Sequence, residues 1–227
     1  MKLIRFLLPA LLLASSAATA DQAEKIGVMF RLENYRTEEE VDDEIADLVS
    51  AGIKYISLTA KQDEDNPPYI SGLAYYDSDI APPAPQGWDV FGYFLEKAHE
   101  AGIKVWAWVP ICHDMAAVRS HPEWAMVSHT TGVSKSWLCP RRREVRDYEK
   151  SIVEELISKY QLDGIAVDYV RYDDYGQCMC EVCSSEFLSR YGVPLSDVLS
   201  GRRPDLWDEF VGFREEAIVD FVEEIGG

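Results

Sequence analysis

Three cysteines, Cys178, Cys180 and Cys183, stand at C-x-C-x-x-C spacing, and two more, Cys112 and Cys139, lie upstream. Three close thiols and one from a neighbouring loop form the donor set of a tetrahedral zinc site. Four thiolates leave no position open for water, so such a site is structural. Cys112, directly after an apolar run at 103–110, is taken as the fourth ligand ahead of Cys139. Disulfides are the alternative, and an exported chain permits them. Cys178 and Cys180 are too close for an easy bridge, so bridges would tie Cys112 or Cys139 to the triplet, leaving one thiol over. The second chemical feature is a carboxylate. Asp168 closes the run DGIAVDY (163–169), where Gly164, Ala166 and Asp168 share one face of a strand and Ile165, Val167 and Tyr169 the other. Arg171 is placed to pair with it, as part of a site or as a structural ion pair.

Other polar and aromatic residues follow apolar runs. Arg31 and Glu33 follow the first run, Lys61 and Asp63 the second, and His113 and Asp114 the third. Trp108, Trp137, Tyr75, Tyr76 and Tyr172 are candidates for stacking on a ligand or for packing. Trp106 is expected in the core. His113, His121 and His129 recur every eight residues, which is no metal-ligand spacing.

The elements that must position these residues alternate between strand and helix. Strands are expected near 26–32, 53–59, 103–110 and 163–169. Thr37 and Glu40 form a capping box that opens a helix with Val41, Ile45, Leu48 and Val49 on one stripe. Asp89 caps a second helix bearing Phe91, Phe94, Leu95 and Ala98. The tetrapeptide AGIK at 51–54 and again at 101–104 ends each helix and starts the next strand, with its glycine suited to the left-handed C′ position. Segment 111–143 reads as a loop. A third helix runs from Val145 to Tyr160, and others lie near 181–191 and 205–224. Four βα units in series imply a parallel sheet with right-handed crossovers. The long, chemically rich segments all follow strand C-termini, as in a barrel enzyme. No glycine-rich phosphate loop follows the first strand, which lowers a dinucleotide-binding reading. A full barrel needs eight strands and about 250 residues. The expected fold is therefore α/β, the N-terminal half of a (β/α)8 TIM barrel cut before its fifth strand.

The 227 residues include 22 Lys and Arg against 40 Asp and Glu, a net charge of −18. That acidity argues against nucleic acid and anionic membranes as partners, since phosphate binding needs a basic face. Residues 1–20 read as a signal peptide. Lys2 and Arg5 precede an apolar stretch, and Ala18-Thr19-Ala20 is a cleavage signal. Residues 21–227 would then be the exported domain, periplasmic or secreted, free of the membrane after cleavage.

The stretch LDGIAVDYVRYDD (162–174), preceded by REVRDYEKSIVEELISKY (143–160), resembles the family-10-type glycosyl-hydrolase-like proteins. HPEWAMVSHTTG (121–132) fits their third loop. AGIKYISLTAK (51–61) also looks like the second strand of α-L-fucosidases, except that Gln62-Asp63-Glu64 replaces the His-His-Asp expected there. The cysteine pattern is similar to that of family 42 β-galactosidases, where a cysteine after the third strand joins a C-x-C-x-x-C around zinc. The resemblance implies a TIM-barrel glycoside hydrolase acting on an oligo- or polysaccharide, with no organic cofactor. Glycosidic cleavage takes two carboxyl groups flanking the bond. Asp168 would be one, acting as nucleophile, and the second would come from a later strand, leaving these residues inactive alone. Arg31, Glu33, Lys61, Asp63, Trp108, His113, Asp114, Arg171 and Tyr172 would contact the sugar. Two other classes stay open, a non-catalytic carbohydrate-binding barrel and a metal-dependent hydrolase built on His113-Asp114.

Overall fold

The structure, a computed structural model, describes residues 27–226. The leader expected at 1–20 lies outside them. The strands are β1 (Gly27–Phe30), β2 (Tyr55–Thr59), β3 (Lys104–Pro110), β4 (Ala125–Ser128), β5 (Gly132–Leu138) and β6 (Gly164–Asp168). The helices are α1 (Glu38–Ser50), α2 (Val90–Glu100), α3 (Met115–Ser120), α4 (Arg143–Lys159), α5 (Glu181–Tyr191), α6 (Leu195–Leu199) and α7 (Trp207–Gly226). Four strands form one parallel sheet in the order β1-β2-β3-β6. Each lies within two residues of its expected bounds.

Local chemistry accounts for the joints. The capping box forms, with Thr37 Oγ1 accepting from the Glu40 amide and Glu40 Oε2 from the Thr37 amide. Asp89 caps α2 through the Gly92 amide at 2.7 Å. Both AGIK segments close as the same hydrogen-bonded helix end. Gly52 and Gly102 take φ of 75° and 72°, and the Ile53 and Ile103 amides reach back to Leu48 and Ala98 carbonyls.

The sheet's two faces differ sharply. Val105, Ala107 and Val109 are fully buried on the helix side. They join Ile56 and Leu58 in one core with Ile45, Phe91, Phe94, Ile152 and Leu156. Each such buried Val, Leu, Ile or Phe side chain contributes about 1.5–3 kcal/mol. On the opposite face Met29 and Trp106 are 48% and 46% exposed. Trp106 is thus not in the core. Period-2 alternation turns it away from Val105, and its ring lies over Gly164, where a Cβ would sit 3.0 Å from the indole.

Segment 111–143 is more than a loop. It holds α3 and the antiparallel hairpin β4–β5. Serine, lysine and glycine dilute the apolar signal of β5, so its period was not legible.

Candidate active site and thiol cluster

The C-terminal ends of the sheet strands converge on a polar and aromatic mouth. Asp168 ends β6 exposed. One of its oxygens accepts from the Tyr169 amide at 2.6 Å and the other from Trp108 Nε1 at 3.2 Å, which fixes the carboxylate's orientation. Arg171 does not pair with it. Its guanidinium lies 5.1 Å from the Trp137 ring centre and 5.2 Å from that of Tyr169. His113 stands beside both rings, at 4.8 and 5.7 Å. Its Nδ1 is 2.8 Å from the Asp63 carbonyl. A carbonyl only accepts, so Nδ1 carries the hydrogen.

Tyr169 departs from the expected alternation. Its φ of 53° is the one left-handed backbone among the described non-glycine residues. That conformation costs a tyrosine about 1–2 kcal/mol. It also swings the ring away from the helix layer, to meet Trp108, Trp137 and His113 edge-on. Aromatic pairs contribute about 0.5–1.5 kcal/mol each, enough together to offset the strain.

Arg31 pairs with Asp63 at 2.7 Å and with Glu64. Burial pushes the Asp63 carboxyl up in pKa despite Arg31, and its Oδ1 is buried with no hydrogen-bond partner. Glu33 is half-buried beneath the same arginine's strand end, with Tyr75 Oη 3.5 Å from its carboxylate. Asp65, which sequence reasoning passed over, accepts from Ser71 and Ser136 and lies 3.5 Å from His113 Nε2. Nothing in its spacing marks it, because Ser136 arrives on the unforeseen hairpin.

Three expected sugar contacts are placed elsewhere, and a fourth, Trp108, is buried at 8% exposure with only its Nε1 turned to Asp168. Lys61 and Asp114 have fully buried side chains. Lys61 Nζ donates to both oxygens of Glu149, at 2.6 and 2.8 Å, and to Asp114 Oδ2 at 3.1 Å. The other Asp114 oxygen caps α3 through the Ala117 amide. These groups face the helix layer, so they anchor the strand ends and cannot reach a ligand. With both its oxygens so engaged, Asp114 forms no metal pair with His113. Tyr172 is 7% exposed, beneath the Arg214 guanidinium at 4.5 Å. Tyr75 and Tyr76 are likewise core residues.

The Lys61 network makes stability pH-dependent. Burial pushes the Glu149 carboxyl up to about 8, against the pull of Lys61. An unfolded glutamate titrates near 4.5. Between those values the folded chain holds a proton that the unfolded chain has lost, so this group's contribution falls as pH rises from about 5 to 8. Glu149→Gln is expected to flatten that part of the profile. Urea midpoints at pH 5 and pH 8 measure it, and an equal decline in both proteins would contradict the assignment.

The second cluster comprises Cys139, Cys178, Cys180 and Cys183, all buried, with sulfurs within 4.8 Å of one another. Cys139 Sγ is 3.5 Å from Cys183 Sγ and 3.6 Å from Cys180 Sγ. Cys112 does not take part. It is buried near Glu149 and Lys61, and burial raises its thiol to about 12. The hairpin explains the exchange, since β5 carries Cys139 back to the loop before α5. There the Met179 amide bonds the Val127 carbonyl, and the amides of Val127 and Cys180 both point at Cys178 Sγ, 3.3 Å away. Thiols of Cys139, Cys178 and Cys183 pull the Cys180 thiol far down in pKa, while Cys139 and Cys183 are pushed up. No disulfide joins the five cysteines. Among the described residues this is the one group of three or more potential ligands that converges.

The sequence profile of the glycosyl hydrolase-like 10 family matches residues 33–226. The chain belongs to that family. The resemblance carried by residues 143–174 is thereby borne out. A curated relative, the glycosyl hydrolase DigH of Escherichia coli K12, is 31% identical over 105 residues, which cover 39% of this chain and 23% of DigH. The chain therefore matches about a quarter of that protein's length. Among solved structures, α-L-fucosidase isoenzyme 2 from Paenibacillus thiaminolyticus superposes with a TM-score of 0.57 at 20% identity, covering 85% of this chain and 30% of the fucosidase. A hypothetical protein from Ruminiclostridium thermocellum gives 0.52 at 20% identity, covering 74% of this chain and 93% of that one. At such identity the likeness is one of fold, an α/β fold shared with a glycosidase. No helix among the described residues is long and apolar enough to cross a membrane.

Proposed function

We propose that this family member supplies one half of a (β/α)8 glycoside-hydrolase barrel, and that Asp168 is its site carboxylate. The observation that carries the reading is the place of Asp168. It is exposed at the end of the fourth parallel strand and oriented by two hydrogen bonds, from the Tyr169 amide and from Trp108 Nε1, and the neighbouring Tyr169 ring meets Trp137 and His113. Such a carboxylate can attack an anomeric carbon or hold the attacking water, while the partly exposed Trp137 indole matches the C–H face of a pyranose; Trp108, 8% exposed, serves through its Nε1. Arg171, free of ion pairs among the described residues, offers guanidinium donors to sugar oxygens, and Arg31 adds those left over from Asp63 and Glu64. Asp63 is too deeply buried to serve as the second carboxyl group and Asp65 is held by Ser71 and Ser136, so in this reading that group comes from the other half of the barrel. The open inner face at Met29 and Trp106, and the half-buried Ile165 and Val167 at the β6 edge, are surfaces such a half would cover. The substrate is an oligo- or polysaccharide, reached after export and cleavage behind Ala20, with residues 21–227 as the catalytic-domain segment.

In the same reading, Cys139, Cys178, Cys180 and Cys183 hold one zinc. The set is all-thiolate, buried and convergent, and backbone amides aim at Cys178 Sγ, as suits a closed structural site. The ion would tie the β4–β5 hairpin to the loop between β6 and α5.

A second reading is favoured by one observation. Asp63 is buried against Arg31, and Asp65, exposed beside His113, is engaged by Ser71 and Ser136, so neither is a free partner for Asp168, which suits a barrel that binds carbohydrate without cleaving it. Reducing-end release from a polysaccharide panel separates the two. Hydrolysis by an eight-stranded form, and none by these 227 residues alone, is expected. Binding without hydrolysis by either would leave the non-catalytic reading.

A further inference from the structure

We propose that Tyr169 is the central ring of the sugar subsite, held there by its left-handed backbone with its hydroxyl reserved for the ligand. The inference rests on the carbohydrate reading of the mouth and adds a residue that strand alternation assigns to the opposite face.

Three observations converge on it. The first is the backbone. A tyrosine at φ 53° is unfavourable, glycine would be the ordinary choice, and such outliers gather where a site needs a side chain aimed in one direction. The turn does two things at once. It brings the Tyr169 amide to Asp168, and it sends the ring among Trp108, Trp137 and His113. The second is the hydroxyl. It donates to no group among the described residues, although the carboxylates of Asp63 and Asp168 are near enough to raise its pKa together with burial. It is not among the buried unpartnered polar atoms, so it is open to solvent and to a ligand. The third is Arg171. Its guanidinium rests on the Tyr169 and Trp137 rings and forms no ion pair among the described residues. A free hydroxyl and free guanidinium donors beside aromatic faces match a pyranoside, which offers C–H faces and acceptor oxygens together.

A purely structural role makes a different forecast. If the ring only packs, replacing it at no backbone cost should leave binding intact. Tyr169→Gly removes the ring and relaxes the backbone, so strain relief and lost packing oppose each other and the thermal midpoint stays close to that of the unmodified chain. Tyr169→Asn, whose side chain tolerates the same φ, is the second variant without the ring. Tyr169→Phe keeps ring and packing and lacks the hydroxyl. Each is titrated, in the 227-residue chain, with cellohexaose, mannohexaose and chitohexaose, followed by tryptophan fluorescence and calorimetry.

The unmodified chain is expected to bind one or more of these probes. Affinity should fall about 30-fold or more in the glycine and asparagine variants, as for a central aromatic anchor. It should fall roughly three- to tenfold in the phenylalanine variant, as for one hydrogen bond. Unchanged affinity in the glycine or asparagine variant would overturn the subsite while leaving the carbohydrate reading standing. Unchanged affinity in the phenylalanine variant would overturn the role of the hydroxyl, whether or not the other variants fold. Failure of the unmodified chain to bind any of the three probes would overturn both readings together.

Discussion

Asp168→Asn is expected to lower glycosidase turnover of the eight-stranded form by about a thousandfold or more, roughly 4 kcal/mol of barrier, with the fold intact. The site geometry separates these two effects. Asp168 is exposed at the end of β6, so little packing depends on it, and exposed substitutions typically change stability by about half a kcal/mol. The amide oxygen of asparagine can still accept from the Tyr169 amide. Its NH2 group then faces the Trp108 indole N–H, so one contact becomes donor against donor. What the variant cannot do is present a negatively charged oxygen to an anomeric carbon or to a water. Turnover and thermal midpoint measured together decide the matter. A lowered midpoint with turnover kept would make Asp168 a strand-end tie, and an unchanged rate would remove it from the chemistry.

The second large effect concerns the thiols. Purified chain is expected to carry about one zinc, and Cys139→Ser to lose it, while Cys112→Ser keeps it. Zinc bound by four cysteines contributes on the order of 10 kcal/mol to folded zinc-finger peptides. Chelation should therefore lower the thermal midpoint steeply, by roughly 10 °C or more. The loss should appear first where the cluster ties elements together, in the β4–β5 hairpin and the segment before α5. Hydrogen exchange of the Val127 and Met179 amides reads that directly. Cys112→Ser serves as the internal comparison. Its thiol is equally buried but stands beside Glu149 and Lys61, away from the cluster. Elemental analysis showing no metal, with two protease-resistant disulfide-linked peptides, would refute the site.

Much of this was legible in the residues alone. The sheet was, because apolar runs, capping residues and the repeated AGIK joint are local signals. A Thr37–Glu40 box or a glycine at a helix end acts within a few residues and needs no distant partner. The family was legible in the run from Leu162 to Asp174, and Asp168 at a strand end followed from alternation alone.

The contents of the site were decided in three dimensions. Their position after apolar runs counted Lys61 and Asp114 as strand-end groups, but could not place Glu149, 88 residues along the chain from Lys61, on the helix that draws both out of the mouth. Alternation assigned Tyr169 to the helix side, since nothing in DGIAVDY announces a left-handed turn at a non-glycine residue. Spacing named three cysteines correctly as a group and favoured the wrong fourth. That choice depends on the β4–β5 hairpin, whose polar residues leave no periodic trace and whose return brings Cys139 to the cluster. Local sequence determines elements because their hydrogen bonds close over a few residues. Which side chains meet at the ends of those elements is set by contacts between residues far apart in the chain, and only the folded structure supplies them.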